Sequence, residues 1–192
     1  FFLHLQVLAQ LHDSYILCSN EEGLVIVDQH AAQERYHYEQ LNEKLLVQCT
    51  NKQPLMVPIQ LDVSSNVLAQ YMTINEKTAF FGIEFEPFGT DQLILREIPL
   101  WFHDVDQKQF LQDLLDYFVE NQDVDMAKLR KHMIATMACH SSIRFNRPLS
   151  MQEMEQVILD LQKCKQPYHC PHGRPTVIVM SDGELRKEFE RG

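Results

Sequence analysis

The first part of the chain changes from a strand-like pattern of apolar positions to a helical one. Residues 2–11, 14–18 and 23–28 are apolar stretches separated by polar turns, which predicts three short strands. From residue 30 to about residue 46 the apolar positions recur with helical spacing. The third strand is therefore predicted to lead directly into a helix.

The next part of the chain is predicted to begin with a strand at the edge of a sheet. Residues 53–63 read QPLMVPIQLDV, and Pro54 and Pro58 favour an edge or irregular strand because proline cannot donate a ladder hydrogen bond. Residues 64–82 form a predicted helix, with serines that can cap its start and Gly82 at its end.

The remainder is predicted to be mainly helical, with strands before and after the helices. We expect two short strands at 83–87 and 92–98, three helices at about 106–121, 126–142 and 150–163, and a strand at 176–180. Ser181 and Asp182 can cap a final helix. Strands at both ends of the chain frame a more helical middle, which predicts a mixed α/β (α+β) fold.

The composition is that of a folded globular chain with a strongly acidic charge. Of the 192 residues, 45% are hydrophobic and 23% are charged, which is enough for one substantial core or two small ones. The formal net charge of −10 argues against nucleic-acid binding by bulk electrostatics. Any contact with DNA or RNA would need a local basic patch, a partner or a metal ion to offset the repulsion.

The cysteines and the absence of export signals indicate a cytoplasmic location. The five cysteines are odd in number and irregular in spacing, which argues against a disulfide framework. No apolar run is long enough to cross a bilayer, and no signal-peptide pattern is present. The chain begins in an apolar stretch without an initiator Met, so we expect a fragment of a longer protein.

The sequence DQHAAQE, at the predicted junction of strand and helix, is the first candidate site. His30 and Glu34 are one helical turn apart, and Asp28 precedes them at the strand end. An imidazole and two carboxylates are suitable ligands for a divalent metal. Alternatively, Asp28 caps the helix and Glu34 is a surface charge. Glu39 is out of phase with His30 and is expected to pair with Arg35 four positions before it.

The sequence YHCPHGRP is the second candidate. Cys170 and His172 are two residues apart in a loop that prolines stiffen, and a preorganised thiolate and imidazole suit zinc. Arg174 could bind a phosphate or pair with a carboxylate. The alternatives are a half-buried free cysteine beside a turn and a thiol nucleophile activated by histidine. Adjacent Cys and His residues favour metal ligation over nucleophilic attack.

Two further segments carry candidate residues. The segment ATMACHSSIRFNRP contains Cys139, which equally fits a packed core position, and the basic residues Arg144 and Arg147. The extended segment QPLMVP has the form of a short peptide that docks into an apolar groove of a partner, although an edge strand explains it as well.

Taken together, these motifs resemble those of one family. Asp28-Gln29-His30-Ala31 with Glu34 and Glu39 fits the D-Q-H-A-x2-E-x4-E signature of MutL-type mismatch-repair endonucleases. Ala138-Cys139 and the CPHGRP loop follow in the family's order, and the closing FER resembles its F-x-R ending. The resemblance runs essentially end to end and is closest to the C-terminal domain of bacterial MutL proteins that keep nuclease activity.

The resemblance implies a fold and a metal site. It implies a dimerisation subdomain built from residues 1–52 and 140–192, which carries the metal site, and an inserted regulatory subdomain at 53–139. The implied metal ligands are Asp28, His30, Glu34, Cys139, Cys170 and His172, and we expect Asp28 and Glu34 to be catalytic. The signature also includes Glu39, but helical spacing turns it away from His30, so we expect Glu39 to have a structural or supporting role. Zinc would be regulatory or structural, whereas Mn²⁺ or Mg²⁺ would support catalysis. His140 departs from the family, which usually has Arg or Lys after the A-C pair.

The resemblance also implies an activity and partners. The expected activity is metal-dependent nicking of DNA in mismatch repair, together with homodimerisation. Because the domain is acidic, we predict that it binds DNA weakly by itself, with Arg144 and Arg174 as candidate phosphate contacts. The expected partners are the replication sliding clamp, MutS and the N-terminal ATPase region of the same protein, in the nucleoid-associated cytoplasm of a bacterium. The expected clamp-binding residues are Gln53, Leu55, Met56, Val57 and Pro58. The competing interpretation is a non-catalytic, zinc-stabilised dimerisation module that recruits repair partners.

Overall fold

The structure is a computed structural model that describes residues 4–102, 105–121, 123–140 and 145–190. The chain divides into two compact units, the first made of residues 1–40 and 144–192 and the second of residues 41–143. The division falls inside the first helix, between residues 40 and 41, and after the fourth, between residues 143 and 144, whereas the resemblance implies boundaries at residues 52 and 140.

The described elements are a mixture of strands and helices. The strands are β1 (Gln6–Leu11), β2 (Tyr15–Asn20), β3 (Gly23–Asp28), β4 (Lys52–Asp62), β5 (Glu86–Phe88), β6 (Gln92–Pro99) and β7 (Val177–Ser181). The helices are α1 (Gln29–Lys44), α2 (Ser65–Thr78), α3 (Gln107–Glu120), α4 (Met126–His140), α5 (Met151–Lys163) and α6 (Asp182–Glu188). This mixture of helices and antiparallel strands confirms the predicted α/β fold class.

The first unit is built on an antiparallel sheet with the strand order β1-β2-β3-β7. Alternate residues of β2 and β3 are buried on one face of this sheet, and they pack with the apolar side of α5 in one core cluster: Ile16, Cys18, Val25, Val27, Met154, Val157, Ile158 and Leu161. Full burial of such a side chain stabilises the fold by about 1.5–3 kcal/mol. The core therefore fixes β3, and with it the start of α1.

The second unit contains an antiparallel sheet with the order β4-β6-β5, so β4 lies at an edge, as its two prolines predict. Pairing of β4 with β6 is interrupted between Pro54 and Ile59, where four residues of β4 face one residue of β6. The interruption is a bulge, which bends a strand away from regular pairing. The segment 55–58 is therefore displaced from the ladder.

The helix boundaries agree with the sequence to within a few residues. Ser64 caps α2, which passes through a short 3-10 helix (Ala79–Phe81) and ends at Gly82 in the left-handed conformation. The strand predicted at 83–87 is wrong in its position, because pairing covers only Glu86–Phe88, and Ile83 and Phe85 are buried without joining the ladder. None of the helices in the described ranges combines the length and apolar character needed to cross a membrane.

Candidate metal centre

The junction between β3 and α1 is held by Asp28. Its Oδ1 accepts a hydrogen bond from the backbone N–H of Ala31 at 2.9 Å, and its own N–H donates to the carbonyl of Thr176 at 2.9 Å. The first contact satisfies one of the N–H groups that a helix start leaves unpaired. Asp28 therefore makes the capping contact that the sequence left as an alternative, and a carboxylate keeps further acceptor capacity beyond one hydrogen bond.

Three potential ligands from α1 and the CPHGRP loop come together. One ligand atom each from Glu34, Cys170 and His172 lies within 4.8 Å of the others, and Glu34 Oε1 is 2.8 Å from His172 Nδ1. Cys170 is buried, whereas the His172 side chain is largely exposed. A thiolate, an imidazole and a carboxylate at this separation match the ligand types that zinc prefers, so the residues fit such an ion.

The loop that carries two of these ligands is a tight hydrogen-bonded turn. The N–H of Gly173 donates to the carbonyl of Cys170 at 2.9 Å, and the N–H of Cys170 donates to the carbonyl of Arg174 at 2.8 Å. Gly173 has a φ of +83°, a conformation that glycine adopts without steric cost. The turn presents Cys170 and His172 on a rigid backbone, which lowers the entropic cost of binding an ion.

A second set of contacts connects this loop to α1. The buried Arg35 donates through Nε to the carbonyl of His169 at 2.6 Å, and Glu39 accepts from the N–H groups of Lys165 (2.7 Å) and Gln166 (3.1 Å). Arg35 Nη1 and Glu39 Oε1 are 3.7 Å apart, which is the expected ion pair. Both side chains thus hold the segment that leads into the ligand loop.

Of the remaining predicted ligands, the structure describes the side chains of Asp28 and His30. Among the described residues, the close group includes neither Asp28 nor His30. His30 is exposed, and its ring lies against Phe145, with 5.3 Å between ring centroids. The side chain of Cys139 and all of Arg144 lie outside the described residues, so their roles remain predictions, as does a phosphate contact from the exposed Arg174.

Sequence reasoning missed several residues around this site. The contact of Arg35 with the loop, and the residues Gln10 and Phe145, carried no motif that would have singled them out. Gln29 lies inside the DQHA sequence, but its type alone gives no indication of which backbone its amide binds. The one available signal was the position of Gln29, a polar residue at the start of a helix that was predicted to follow a buried strand directly.

The candidate clamp-binding segment belongs to the second unit and coincides with the bulge in β4. Met56 and Val57 are highly exposed there, and Gln53 is exposed as well, whereas Leu55 and Pro58 are partly buried. Two exposed apolar side chains in an edge strand are unusual, because exposed apolar edges promote association. The geometry leaves this segment accessible to a partner.

Comparison with known proteins places these features in a family. A family model described as the MutL C terminal dimerisation domain matches residues 8–149. The chain belongs to the MutL family. It is 39% identical to the DNA mismatch repair protein MutL of Exiguobacterium sibiricum over 190 residues, which is 99% of this chain and 31% of that protein.

Other MutL proteins give the same result. The chain is 36% identical over 182 residues to the MutL protein of Shouchella clausii, covering 95% of this chain and 28% of that protein. It is 35% identical over 193 residues to the MutL protein of Lactococcus lactis subsp. lactis, covering 99% of this chain and 29% of that protein. The chain thus spans under a third of the length of the MutL relatives it matches.

Proposed function

We propose that this chain is the metal-dependent, DNA-nicking endonuclease domain of a MutL-type mismatch-repair protein, located in the bacterial cytoplasm. The observation that carries the proposal is the group formed by Glu34, Cys170 and His172, beside a helix start that bears Asp28 and His30. A purely structural surface has no need for a thiol, an imidazole and a carboxylate within 4.8 Å of one another.

The proposed roles divide the ligands by their chemistry. Asp28 and Glu34 supply the oxygen atoms that Mn²⁺ or Mg²⁺ prefers, whereas Cys170, His172 and His30 supply the sulfur and nitrogen that zinc prefers. A divalent ion, when bound, polarises a phosphodiester and lowers the pKa of an attacking water. Such positive charge is needed here because both the DNA and the chain, with a net charge of −10, are anionic.

Homodimerisation is supported by the outer face of the first unit's sheet. Ala9 pairs with Leu17, Leu17 with Ile26, and Ile26 with Ile178, so one apolar row crosses all four strands. Its members are half-buried or exposed, in contrast to the buried residues of the opposite face. An exposed apolar sheet face of this kind suits a second copy of the chain.

The remaining partners follow from the acidic charge and the exposed bulge. We propose that Gln53, Leu55, Met56, Val57 and Pro58 bind the replication sliding clamp, which would bring the domain to DNA. The domain alone should bind DNA weakly, with a shallow dependence on salt, because it offers few phosphate contacts. MutS and the N-terminal ATPase region of the same protein would supply the mismatch signal.

A non-catalytic, zinc-stabilised dimerisation module is the second candidate. It is favoured by the capping contact of Asp28 and by the direct approach of Glu34 to His172, because both carboxylates already have structural partners. In that case the three-residue group would hold zinc for stability alone.

The test is conversion of supercoiled plasmid to open circle with Mn²⁺, in the presence of the cognate sliding clamp. Asp28→Asn is the informative variant, because asparagine retains the oxygen that caps α1 and loses only the charge. Glu22→Gln, at an exposed site of the same unit, is the matched control. All three proteins are compared at equal dimer concentration and in the full-length protein.

The outcomes separate the two candidates. We expect nicking by the wild type and by Glu22→Gln, and a loss of at least about 100-fold in Asp28→Asn with unchanged folding and dimerisation. If Asp28→Asn nicks DNA as well as the wild type does, this aspartate takes no part in the reaction. Loss of folding in Asp28→Asn, with no nicking by a folded wild type, would favour the structural zinc module.

A further inference from the structure

The side chain of Gln29, the first residue of α1, holds a distant part of the backbone. It is completely buried, and its Nε2 donates to the carbonyl of Phe145 and to that of Arg147 (3.2 Å). Its Oε1 accepts from Nε2 of Gln10 at 2.5 Å. A buried amide whose two N–H groups and oxygen are all bonded stays in one orientation, because any rotation leaves polar atoms unpaired.

Gln10 on β1 completes the contact. Its Nε2 also donates to the carbonyl of Arg147 at 2.8 Å, and its Oε1 accepts from the N–H of Leu149 at 2.9 Å. The segment 145–149 is neither helix nor strand, so these amides replace the hydrogen bonds that regular structure would provide. Gln10 and Gln29 together therefore fix the path of this segment.

The fixed segment places one ring between two histidines. The Phe145 ring lies 5.3 Å from the His30 ring at an interplanar angle of 80°, and 5.4 Å from the His37 ring at 30°. His30 is exposed, and an exposed imidazole can sample several rotamers unless a neighbour restricts it. An edge-to-face contact of this geometry is favourable and directional.

We propose that Phe145 is a positioning residue, which the paired amides of Gln10 and Gln29 hold against the His30 imidazole so that this ring is oriented for metal binding. The proposal rests on the proposed function, because it assigns His30 to the metal centre. The ring acts on the metal only through His30, in the way that outer-shell contacts orient metal-binding histidines. A loosely held imidazole would bind an ion with a larger entropic cost.

The test compares Phe145→Leu, which keeps an apolar side chain and removes the ring, with Phe145→Tyr, which keeps the ring. Zn²⁺ affinity is measured in the complete protein by competition with a chromogenic chelator. The imidazole resonances of His30 are recorded separately by NMR in the metal-free protein. Phe88→Leu, an exposed phenylalanine of the second unit, is the matched control.

We expect Phe145→Leu to weaken Zn²⁺ binding by roughly 10-fold, the lower end of the effect of removing outer-shell partners. Phe145→Tyr and Phe88→Leu should keep the wild-type affinity, and the His30 resonances should move only in Phe145→Leu. Gln29→Glu sets a carboxylate against two carbonyl oxygens and should weaken Zn²⁺ binding in the same direction. Because Gln29→Glu could fail to fold, the proposal is judged on Phe145→Leu and Phe145→Tyr.

Two results would overturn this proposal and leave the proposed function standing. One is a Phe145→Leu protein that binds Zn²⁺ as the wild type does, and the other is a Phe145→Tyr protein that is as weak as Phe145→Leu. A wild type that binds no Zn²⁺ would instead overturn the proposed function, and this inference with it. The two failures are therefore distinguishable by the wild-type measurement.

Discussion

Arg35 and Glu39 lie one helical turn apart on α1, and each holds the backbone that leads to Cys170. Glu39 accepts from two successive N–H groups, those of Lys165 and Gln166, and Arg35 donates to the carbonyl of His169. Charge-assisted hydrogen bonds are stronger than neutral ones. These two side chains thus support the ligand loop, and the supporting role, which was predicted for Glu39 alone, can be measured directly.

Glu39→Gln should weaken zinc binding without abolishing it. Glutamine has one acceptor oxygen, so one of the two N–H groups of Lys165 and Gln166 loses its partner. We expect a decrease in zinc affinity of about tenfold, together with faster hydrogen exchange at these two amides. Glu155→Gln, at an exposed site on α5, is the control. Abolished zinc binding with unchanged amide exchange would make Glu39 a ligand instead.

Gly23→Ala should destabilise the first unit more than a substitution at a glycine in open space. Gly23 has a φ of +142°, and an added Cβ would lie 2.3 Å from the carbonyl oxygen of Met180 in the neighbouring strand. Such overpacking costs about 1–3 kcal/mol beyond the backbone strain. Gly89→Ala is the control. Gly89 has a φ of +67° and no atom within 4 Å of an added Cβ, so this variant introduces the backbone strain without the overpacking. Chemical denaturation measures the free energy of unfolding of both variants. An equal decrease in the two variants would contradict the steric argument.

At the scale of elements, the helices begin where side chains satisfy their free N–H groups. Ser150 and Glu153 form a capping box at the start of α5, and Glu153 also meets Arg147 at 2.7 Å. The hydrogen bond from Arg147, then those involving Ser150, lower the pKa of Glu153 to about 2. The same residues thus start α5 and connect it to the segment that carries Phe145.

The pair of helices α3 and α4 contains a stack of a tyrosine ring and a titratable histidine ring. His132 lies on Tyr117 with 3.9 Å between ring centroids, and burial lowers the pKa of His132 below its ordinary value of 6.5, although the carbonyl and charge of Asp113 oppose this shift. The folded state therefore resists protonation of this ring more than the unfolded state does. Its contribution to stability is present above pH 6.5 and is lost as the pH falls through the folded pKa.

His132→Phe should reduce the loss of stability on acidification. Phenylalanine keeps a ring for the stack with Tyr117 and cannot be protonated. We expect the free energy of unfolding to fall less between pH 7 and about pH 5.5 in this variant than in the wild type. Both are measured by denaturant titration with a chelator present, and His4→Gln, at an exposed site, is the control. An identical pH dependence in His132→Phe and the wild type would refute this assignment.

At the scale of the whole molecule, the proposed assembly depends on two surfaces. The apolar row across β1, β2, β3 and β7 belongs to the first unit, and the exposed bulge of β4 belongs to the second. Interfaces between permanent partners are more apolar than the ordinary protein surface. The row is therefore the surface that suits a second copy, whereas the short bulge suits recognition of a partner's groove.

Ile178→Glu should convert the dimer into monomers. Ile178 is 53% exposed at the end of the apolar row, and a carboxylate there would be buried without a partner in the interface. Analytical ultracentrifugation of the full-length protein should show a dissociation constant raised by at least about 10-fold, equivalent to 1.4 kcal/mol. Gln152→Glu adds the same charge at an exposed site on α5 and should leave the dimer intact. If Ile178→Glu leaves the dimer unchanged, the dimer interface lies on another surface.

Local patterns in the sequence were sufficient for most of the elements. The two-residue and 3.6-residue repeats predicted the strands and helices, and Pro54 and Pro58 predicted an edge strand, because these signals depend on neighbours within one or two turns. Ser181 and Gly82 marked helix ends for the same reason. The predicted strand at 83–87 failed because burial of Ile83 and Phe85 resembles strand patterning without requiring a partner strand.

The sequence by itself determined the types of the site residues, and the tertiary structure decided which of them meet. The motifs supplied an acid, imidazoles and thiols in the family's order, but Glu34 meets Cys170 and His172 only because the core holds α1 beside a loop far away in the chain. The hydrogen bond from Arg35 joins residues 134 positions apart, and that from Gln10 to Arg147 joins residues 137 apart. No periodic signal reaches across such distances, because periodicity records the geometry of one element, whereas long-range contacts depend on how buried faces pack.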